Sequence, residues 1–226
     1  MKKAGHHTKA EPETYTPATI KIMESRYNYN DAWSWLQQNG KEIYGAHFRL
    51  YEEDKAIIYT LLSYFLKDKL TAAQNNINLS KGILLSGPVG CGKTTLMTLM
   101  RYVCTESNKL LMKSCREVSF EFIQDGYEVI HRYSKYSFSG TDPRTICFDD
   151  LGTEKNLKYY GNECNIMAEI LLSRYDLFIS KKMITHITTN LSASEIEAAY
   201  GNRVRSRLRE MFNLVAFDKN TCDKRK

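Results

Sequence analysis

The sequence predicts an α/β fold in which a parallel sheet lies between two layers of helices. Short apolar runs recur along the chain and are typical of strands that are buried on both faces. Amphipathic segments separate these runs, and a regular alternation of strand and helix is the pattern of a parallel sheet. The predicted strands lie at residues 83–85, 110–112, 145–152, 183–190 and 212–217, and the predicted helices between them at 92–107, 116–135, 159–180 and 192–200.

The composition is that of a folded chain with a modest basic excess. The 226 residues are 42% hydrophobic and carry a formal net charge of +6. This charge permits a nucleic-acid partner but does not require one. The six cysteines are scattered without a C-x-x-C pair, so neither a zinc site nor a disulfide framework is expected. Because no long apolar run or secretory signal occurs, we expect a cytoplasmic protein without membrane contact.

The chain divides by composition into a tail, a small helical N-terminal appendage with a linker, the main domain and a second, charged tail. These four parts are residues 1–18, 19–80, 81–217 and 218–226. The first tail is predicted to be disordered, because it contains hardly any apolar residue. The appendage includes an amphipathic helix at 54–70. Trp33 and Trp35 also lie there, and they either dock a partner or pack on the main domain.

The stretch after the first strand of the main domain matches the phosphate-binding P-loop pattern G-x-x-x-x-G-K-[ST] at every fixed position. Its glycines let backbone N–H groups turn inward, and the following helix adds N–H donors and the positive end of its dipole. Lys93 would reach the β- and γ-phosphates, the Thr94 hydroxyl would ligate Mg²⁺, and Thr95 would contact the α-phosphate. The expected nucleotide-binding residues are Gly87, Pro88, Val89, Gly90, Cys91, Gly92, Lys93, Thr94 and Thr95.

The P-loop cysteine has two interpretations. The Cys91 thiol is either a redox or alkylation switch, or a small side chain that simply fits the loop. The second interpretation is favoured, because a reactive thiol needs an exposed site that stabilises the thiolate.

Two later strands end in polar side chains suited to nucleotide hydrolysis. Asp149 and Asp150 follow an apolar run, which is the Walker B pattern. The first acid would hold Mg²⁺ through its water shell, and the second would orient or deprotonate the attacking water. Asn190 ends the next strand, where its amide would bind the γ-phosphate or the water. Asn is also a common helix cap, so that alternative stays open.

Two basic stretches also have alternative interpretations. Residues 131–136 interleave basic side chains with tyrosines. Such a stretch grips phosphates and stacks bases, or it is an ordinary solvated helix end. Arg203, Arg205, Arg207 and Arg209 lie within seven residues. Guanidinium groups stabilise the transition-state charge of phosphoryl transfer, but an arginine row is also typical of a solvated or DNA-facing helix.

The motifs GPVGCGKT, FDDLG, ITTN and R-x-x-x-R-L together resemble those of AAA+ ATPases of the DnaC/IstB type, which are helicase loaders and transposition-helper ATPases. The resemblance covers residues 81–217 and implies ATP and Mg²⁺ as cofactors. It implies that Asn190 is the sensor-1 residue and that Arg207 is an arginine finger, with Arg203 as its helper. A finger acts on the neighbouring subunit's nucleotide, so assembly into a ring or spiral is implied as well.

The resemblance further implies a DNA partner, often single-stranded, gripped by residues 116–140. It implies that residues 19–50 dock a helicase or a transposase. Asp150 stands where many AAA+ proteins have Glu, which suggests slow hydrolysis. No C-terminal lid domain and no sensor-2 arginine can be assigned. The Asp150 departure leaves a nucleotide-gated adaptor with little hydrolysis as one alternative, and a transposition helper with the same motifs is another. A small-molecule P-loop kinase has no use for the arginine motif.

Overall fold

The computed structural model describes residues 27–104, 110–154, 157–159 and 162–225, and its main feature is one parallel sheet. The five strands are β1 (Gly82–Ser86), β2 (Leu111–Ser114), β5 (Ile146–Leu151), β8 (Thr185–Thr189) and β9 (Phe212–Ala216). They lie in the order β2-β5-β8-β1-β9, and every neighbouring pair is parallel. The carboxyl ends of parallel strands meet at one edge of the sheet, so the segments that follow them lie close together.

Helices cover both faces of this sheet, which confirms the three-layer prediction. One face carries α1 (Tyr29–Tyr44), α2 (Lys55–Phe65), α3 (Lys69–Gln74) and α4 (Lys93–Val103). The other carries α5 (Cys115–Asp125), α6 (Glu128–Tyr133), α7 (Ile166–Lys181) and α8 (Ala193–Met211). Side chains of β1 alternate between the two layers, as a pleated strand requires. Ile83 and Leu85 enter the α1–α4 core, whereas Leu84 enters the α5–α8 core.

The helices before β1 share one apolar core with α4, β1 and the segment after β9. Leu36 of α1 is fully buried in the same cluster as Ile83 of β1 and Phe217 after β9. Trp33 packs at the margin of this cluster, whereas Trp35 is 42% exposed. One tryptophan therefore packs on the main domain, and the other faces solvent.

Several elements differ from the sequence-based expectations. The helix expected at 54–70 ends at Phe65, because Lys67 adopts a left-handed φ of 57°. The helix expected at 116–135 is interrupted at Gly126, which has a φ of 59°. The helix expected at 159–180 begins only at Ile166. Before it, β6 (Leu157–Tyr159) and β7 (Asn162–Cys164) pair as antiparallel strands, and β3 (Phe138–Ser139) pairs in the same way with β4 (Asp142–Pro143).

Some expectations fall on residues outside the described ranges. They are the disordered tail at 1–18, the helical part at 19–26 and the end of the helix expected at 92–107. Within the described residues, no helix is long and apolar enough to span a membrane.

A neutral histidine joins the helix layer to the sheet. The His186 side chain of β8 is buried against the rings of Tyr64 and Phe65. Its Nδ1 accepts a hydrogen bond of 3.0 Å from the Ile83 N–H, so Nδ1 carries no proton. Burial, with repulsion from Lys67 and Arg174, lowers the pKa of His186 to about 3. His186 is therefore a core residue.

Acidification is expected to destabilise the fold through His186. The unfolded histidine has a pKa of about 6.5 and takes up a proton that the folded one excludes. The stabilisation is therefore complete above pH 6.5 and is lost as the pH falls towards 3. Linkage gives a loss of about 2 kcal/mol at pH 5, measurable by urea unfolding at several pH values. His186→Asn keeps an acceptor for the Ile83 N–H and should lack this loss; an equal pH dependence in both proteins would contradict the assignment.

Candidate functional site

A cleft of about 920 Å³ lies at the carboxyl edge of the sheet. The P-loop follows β1, Asp150 lies at the end of β5, and Asn190 follows β8, so three strand ends bring the expected residues together. The cleft is lined by Val89, Gly90, Cys91, Gly92, Lys93, Thr94 and Thr95 of the P-loop together with Asp150 and Asn190. Gly87 and Pro88 are not among the described residues that line the cleft, but their carbonyl groups accept hydrogen bonds from Lys93.

The P-loop has the backbone conformation that its glycines predict. Gly90 and Gly92 have φ values of 81° and 99°, in the left-handed region that favours glycine. Gly92 caps the start of α4, so the N–H groups of this helix face the cleft. The Lys93 ammonium group donates hydrogen bonds of 2.9 Å to the carbonyls of Gly87 and Pro88. The loop thus places a buried cation beside the first turn of α4.

The Cys91 side chain is part of the loop's packing. It is almost fully buried, and burial raises the pKa of its thiol. A protonated, enclosed thiol is a poor nucleophile. The structure therefore favours the interpretation of Cys91 as a small residue that fits the loop.

A bulge at the end of β5 sets the position of both acids. Phe148 pairs with Ile187 and Leu151 pairs with Thr189, so Asp149 and Asp150 together face the single residue Thr188. Such a bulge redirects the side chains of the bulged strand. Asp150 takes a left-handed φ of 56°, which Asp tolerates better than most residues.

One buried hydroxyl joins the two acids. Thr188 Oγ1 donates a 2.6 Å hydrogen bond to the Asp149 carboxylate and accepts a 2.9 Å bond from the Asp150 N–H. No sequence motif marks this role of Thr188, although the residue lies two positions before Asn190 on the strand beside Walker B. The Asp150 carbonyl in turn accepts hydrogen bonds from the N–H and hydroxyl of Thr153.

The two expected Mg²⁺ ligands are adjacent. The Thr94 hydroxyl donates to the Asp149 carboxylate at 3.0 Å. A hydroxyl and a single carboxylate are oxygen ligands that suit Mg²⁺, which completes its shell with water and phosphate oxygens. Burial raises the pKa of Asp149, with a further contribution from Asp150, while the hydrogen bond from Thr188 opposes the shift. A bound cation would offset this unfavourable burial of charge.

Asn190 does not cap α8, which was the alternative interpretation of this residue. The cap of α8 is Ser192, which forms a reciprocal capping box with Glu195. Asn190 is exposed at the cleft and makes no side-chain hydrogen bond within the described part of the chain. Its amide is therefore available to a bound group.

The arginines of α8 lie away from the cleft of their own chain. Arg205 forms an ion pair with Glu197. The Arg207 guanidinium lies 4.9 Å from the ring centroid of Tyr175 and contacts the Arg203 carbonyl at 3.3 Å. Arg203 is exposed. Neither Arg203 nor Arg207 is among the described residues that line the cleft.

Another contact joins the Walker B loop to α8. Glu154 accepts from the Gly152 N–H at 2.9 Å, and its second oxygen accepts a short hydrogen bond from the Tyr200 hydroxyl. Burial and the Glu154 charge raise the pKa of Tyr200, so it remains a donor. The loop after the acids is thus tied to the first part of α8, before the kink at Gly201 that precedes the arginines.

Two walls of the cleft come from segments that the sequence analysis did not assign to it. The first consists of residues between Tyr44 and Asp54, including His47, Arg49 and Tyr51. The second consists of Lys224 and Arg225, in what the sequence suggested was only a charged tail. No local motif marks either segment, because their position depends on packing between distant parts of the chain.

The sheet order and the P-loop between β1 and α4 define a P-loop NTPase of the AAA+ class. Residues 83–214 match the AAA family model, described as ATPase family associated with various cellular activities. This match spans more than half of the sequence, and the chain belongs to the AAA family. The search of curated proteins found no significant match.

Solved structures with a similar fold include replication proteins. The crystal structure of the DnaC helicase loader has a TM-score of 0.53 and 18% identity, over 76% of this chain and 95% of that one. The structure of DnaI has a TM-score of 0.51 and 17% identity, over 76% and 88% of the two chains. AMPPCP-bound DnaA from Aquifex aeolicus has a TM-score of 0.50 and 16% identity, over 77% and 50%. The resemblance to the DnaC type is thus confirmed at the level of the fold.

Thr188→Val is expected to lower the free energy of unfolding. The substitution removes the donor to Asp149 and leaves the Asp150 N–H without its acceptor, a loss of about 1–3 kcal/mol. Thr188→Ser keeps the hydroxyl and should cost no more than about 1 kcal/mol for the deleted methyl group. Urea unfolding of the three proteins measures the difference. Equal stability of the Val variant and wild type would show that this hydroxyl does not hold the bulge.

Proposed function

We propose that this protein binds and hydrolyses ATP with Mg²⁺ and acts on DNA as a helicase-loader-like ATPase. The observation that carries the proposal is that the P-loop, Asp150 and Asn190 line one cleft, and that Asp149 contacts Thr94 of the P-loop. Membership of the AAA family supports the ATPase part of the proposal. The cleft is large enough for a nucleotide, which is a ligand of ordinary small-molecule size.

Each side chain has a distinct role in the proposed reaction. The N–H groups at the start of α4 bind phosphate oxygens, and Lys93 exchanges the Gly87 and Pro88 carbonyls for the β- and γ-phosphates. Thr94 and Asp149 would hold Mg²⁺, which when bound would neutralise phosphate charge. Asp150 accepts a proton from the attacking water or orients it.

Asn190 and the bulge complete this arrangement. The Asn190 amide donates to the γ-phosphate or to the attacking water. Thr188 fixes the backbone of Asp150 while holding Asp149 towards Thr94. This preorganisation places the acid without reorganisation during the reaction. The shorter reach of Asp150 relative to Glu supports slow hydrolysis, stimulated by DNA or a partner.

Arginines supplied by a neighbouring copy would complete the site. Arg207 and Arg203 lie outside their own cleft, so a role in hydrolysis requires that they reach another subunit. The cation in such a finger stabilises charge on the transferred phosphoryl group. We therefore propose self-association into a ring or spiral, with Arg207 as the finger and Arg203 as its helper.

The proposed DNA contact uses only part of the basic stretch around α5 and α6. Arg132 is paired with Glu121 and Asp125, so it is not free for phosphate. Phe120 and Tyr136 are exposed rings, and each has a nearby cation. Arg116 lies 5.5 Å from the Phe120 centroid, and Lys135 lies 4.9 Å from the Tyr136 centroid. Rings flanked by cations suit the bases and backbone of single-stranded DNA.

The proposed protein partner is a replicative helicase, in a cytoplasmic setting. DnaC is described as a helicase loader, and the similarity of the fold supports the same role here. Exposed Trp35 on α1 would contribute to the docking face. A transposase is the alternative partner, and a nucleotide-gated adaptor is the alternative if Asp150 supports little hydrolysis.

Arg207→Ala is expected to abolish DNA-stimulated ATP hydrolysis while ATP binding persists. An arginine finger contributes roughly 10³-fold or more to such rates. Mixing Arg207→Ala with Lys93→Ala should restore part of the activity, because one copy would supply the finger and the other the intact P-loop. Phosphate release with and without single-stranded DNA measures the hydrolysis rate of each variant and of the mixture.

Arg209→Ala is the matched control on the same helix, since Arg209 is exposed. Its hydrolysis rate should equal that of wild type. Normal hydrolysis by Arg207→Ala would assign the arginine row to a binding face and favour the adaptor. Absence of ATP binding by wild type would refute the ATPase proposal itself.

A further inference from the structure

The tail segment, residues 218–225, returns to the P-loop after β9. Its path starts where the Phe217 N–H donates a 2.8 Å hydrogen bond to the Ser86 carbonyl at the end of β1. It ends where the Lys224 N–H donates a 3.0 Å hydrogen bond to the Gly90 carbonyl. Asp223 lies so close to Gly90 that a Cβ there would be 2.1 Å from its carboxylate. The tail segment therefore packs directly against the P-loop.

The Lys224 side chain extends this contact to the opposite wall of the cleft. Its ammonium group forms an ion pair with Asp54, and the two side chains are only 10% and 8% exposed. The ammonium also lies 5.0 Å from the Tyr51 centroid and 5.2 Å from the Phe217 centroid. Burial raises the pKa of Asp54, and Lys224 opposes this shift. Loss of either partner would leave a buried charge without compensation.

Three distant segments thus meet at one ion pair beside the nucleotide cleft. Asp54 ends the wall that runs from Tyr44, Gly90 is in the middle of the P-loop, and Lys224 also lines the cleft. The backbone of Lys224 holds the loop while its side chain holds the wall. The affinity for a ligand that binds between the P-loop and the wall depends on the separation of these two surfaces.

We propose that Lys224 is a positioning residue for nucleotide binding, which fixes the P-loop at Gly90 relative to the Tyr44–Asp54 wall through its ion pair with Asp54. This inference rests on the proposed function, since it concerns the same cleft. The tail segment is therefore part of the nucleotide site.

The test compares ATP affinity across a set of variants by isothermal titration calorimetry with Mg²⁺. Lys224→Met and Asp54→Asn should each weaken ATP binding roughly tenfold. The double variant should bind about as weakly as either single one, because both substitutions break the same pair. Lys224→Arg keeps the charge and should bind nearly as tightly as wild type. Lys219→Met makes the same chemical change at an exposed site of the tail segment and should bind like wild type.

Thermal unfolding of each variant separates positioning from folding. Affinity is compared at a temperature well below every unfolding midpoint, where all variants are folded. A lower midpoint with unchanged affinity in Lys224→Met and Asp54→Asn would overturn the inference and leave only structural packing. Weaker ATP binding by Lys219→Met would also overturn the inference, because loss of any positive charge from the tail segment would then lower the affinity. If the wild-type protein does not bind ATP, the proposed function and this inference are both refuted. If the wild-type protein binds ATP, the affinities of the variants alone decide whether Lys224 positions the P-loop.

Discussion

The hydrogen bonds of the Thr188 hydroxyl are the constraint on which the arrangement of the candidate site depends. A regular parallel ladder would direct alternate side chains of β5 to opposite faces of the sheet. The bulge places Asp149 and Asp150 opposite Thr188. The buried Thr188 hydroxyl donates a hydrogen bond to the Asp149 carboxylate and accepts one from the Asp150 N–H. Asp149 can then contact Thr94 while Asp150 lines the cleft. The motif supplies the acids, but the neighbouring strand determines where they point.

The parts of the fold that the sequence predicts are those determined by local pattern. Buried parallel strands read as apolar runs, and a P-loop has fixed residues that follow from its backbone geometry. Those signals located β1, β5 and β8 and the polar residues at their ends. The pairing of β6 with β7 is not indicated by the sequence pattern, which predicts a helix from 159, because short strands outside the main sheet lack a distinct apolar period. The interruption at Gly126 also depends on one backbone dihedral that periodicity does not encode.

The least predictable parts of the candidate site were its outer walls. Lys224 and Asp54 are 170 residues apart, and neither belongs to a motif that would indicate their contact. Both are charged residues in polar surroundings, a pattern that ordinarily indicates a solvated surface. Their burial results from the packing of Tyr51 and Phe217 around the ammonium group. Information of this kind exists only in the three-dimensional structure.

The position of the tryptophans has a spectroscopic consequence. The chain contains two, and both lie on α1, whose last residue, Tyr44, borders the cleft. Trp33 lies 6.3 Å from the ring of Tyr59 and 5.7 Å from the Lys55 ammonium, whereas Trp35 faces water. Intrinsic tryptophan emission therefore originates from this one helix. This emission is an intrinsic reporter of α1, and it needs no added label.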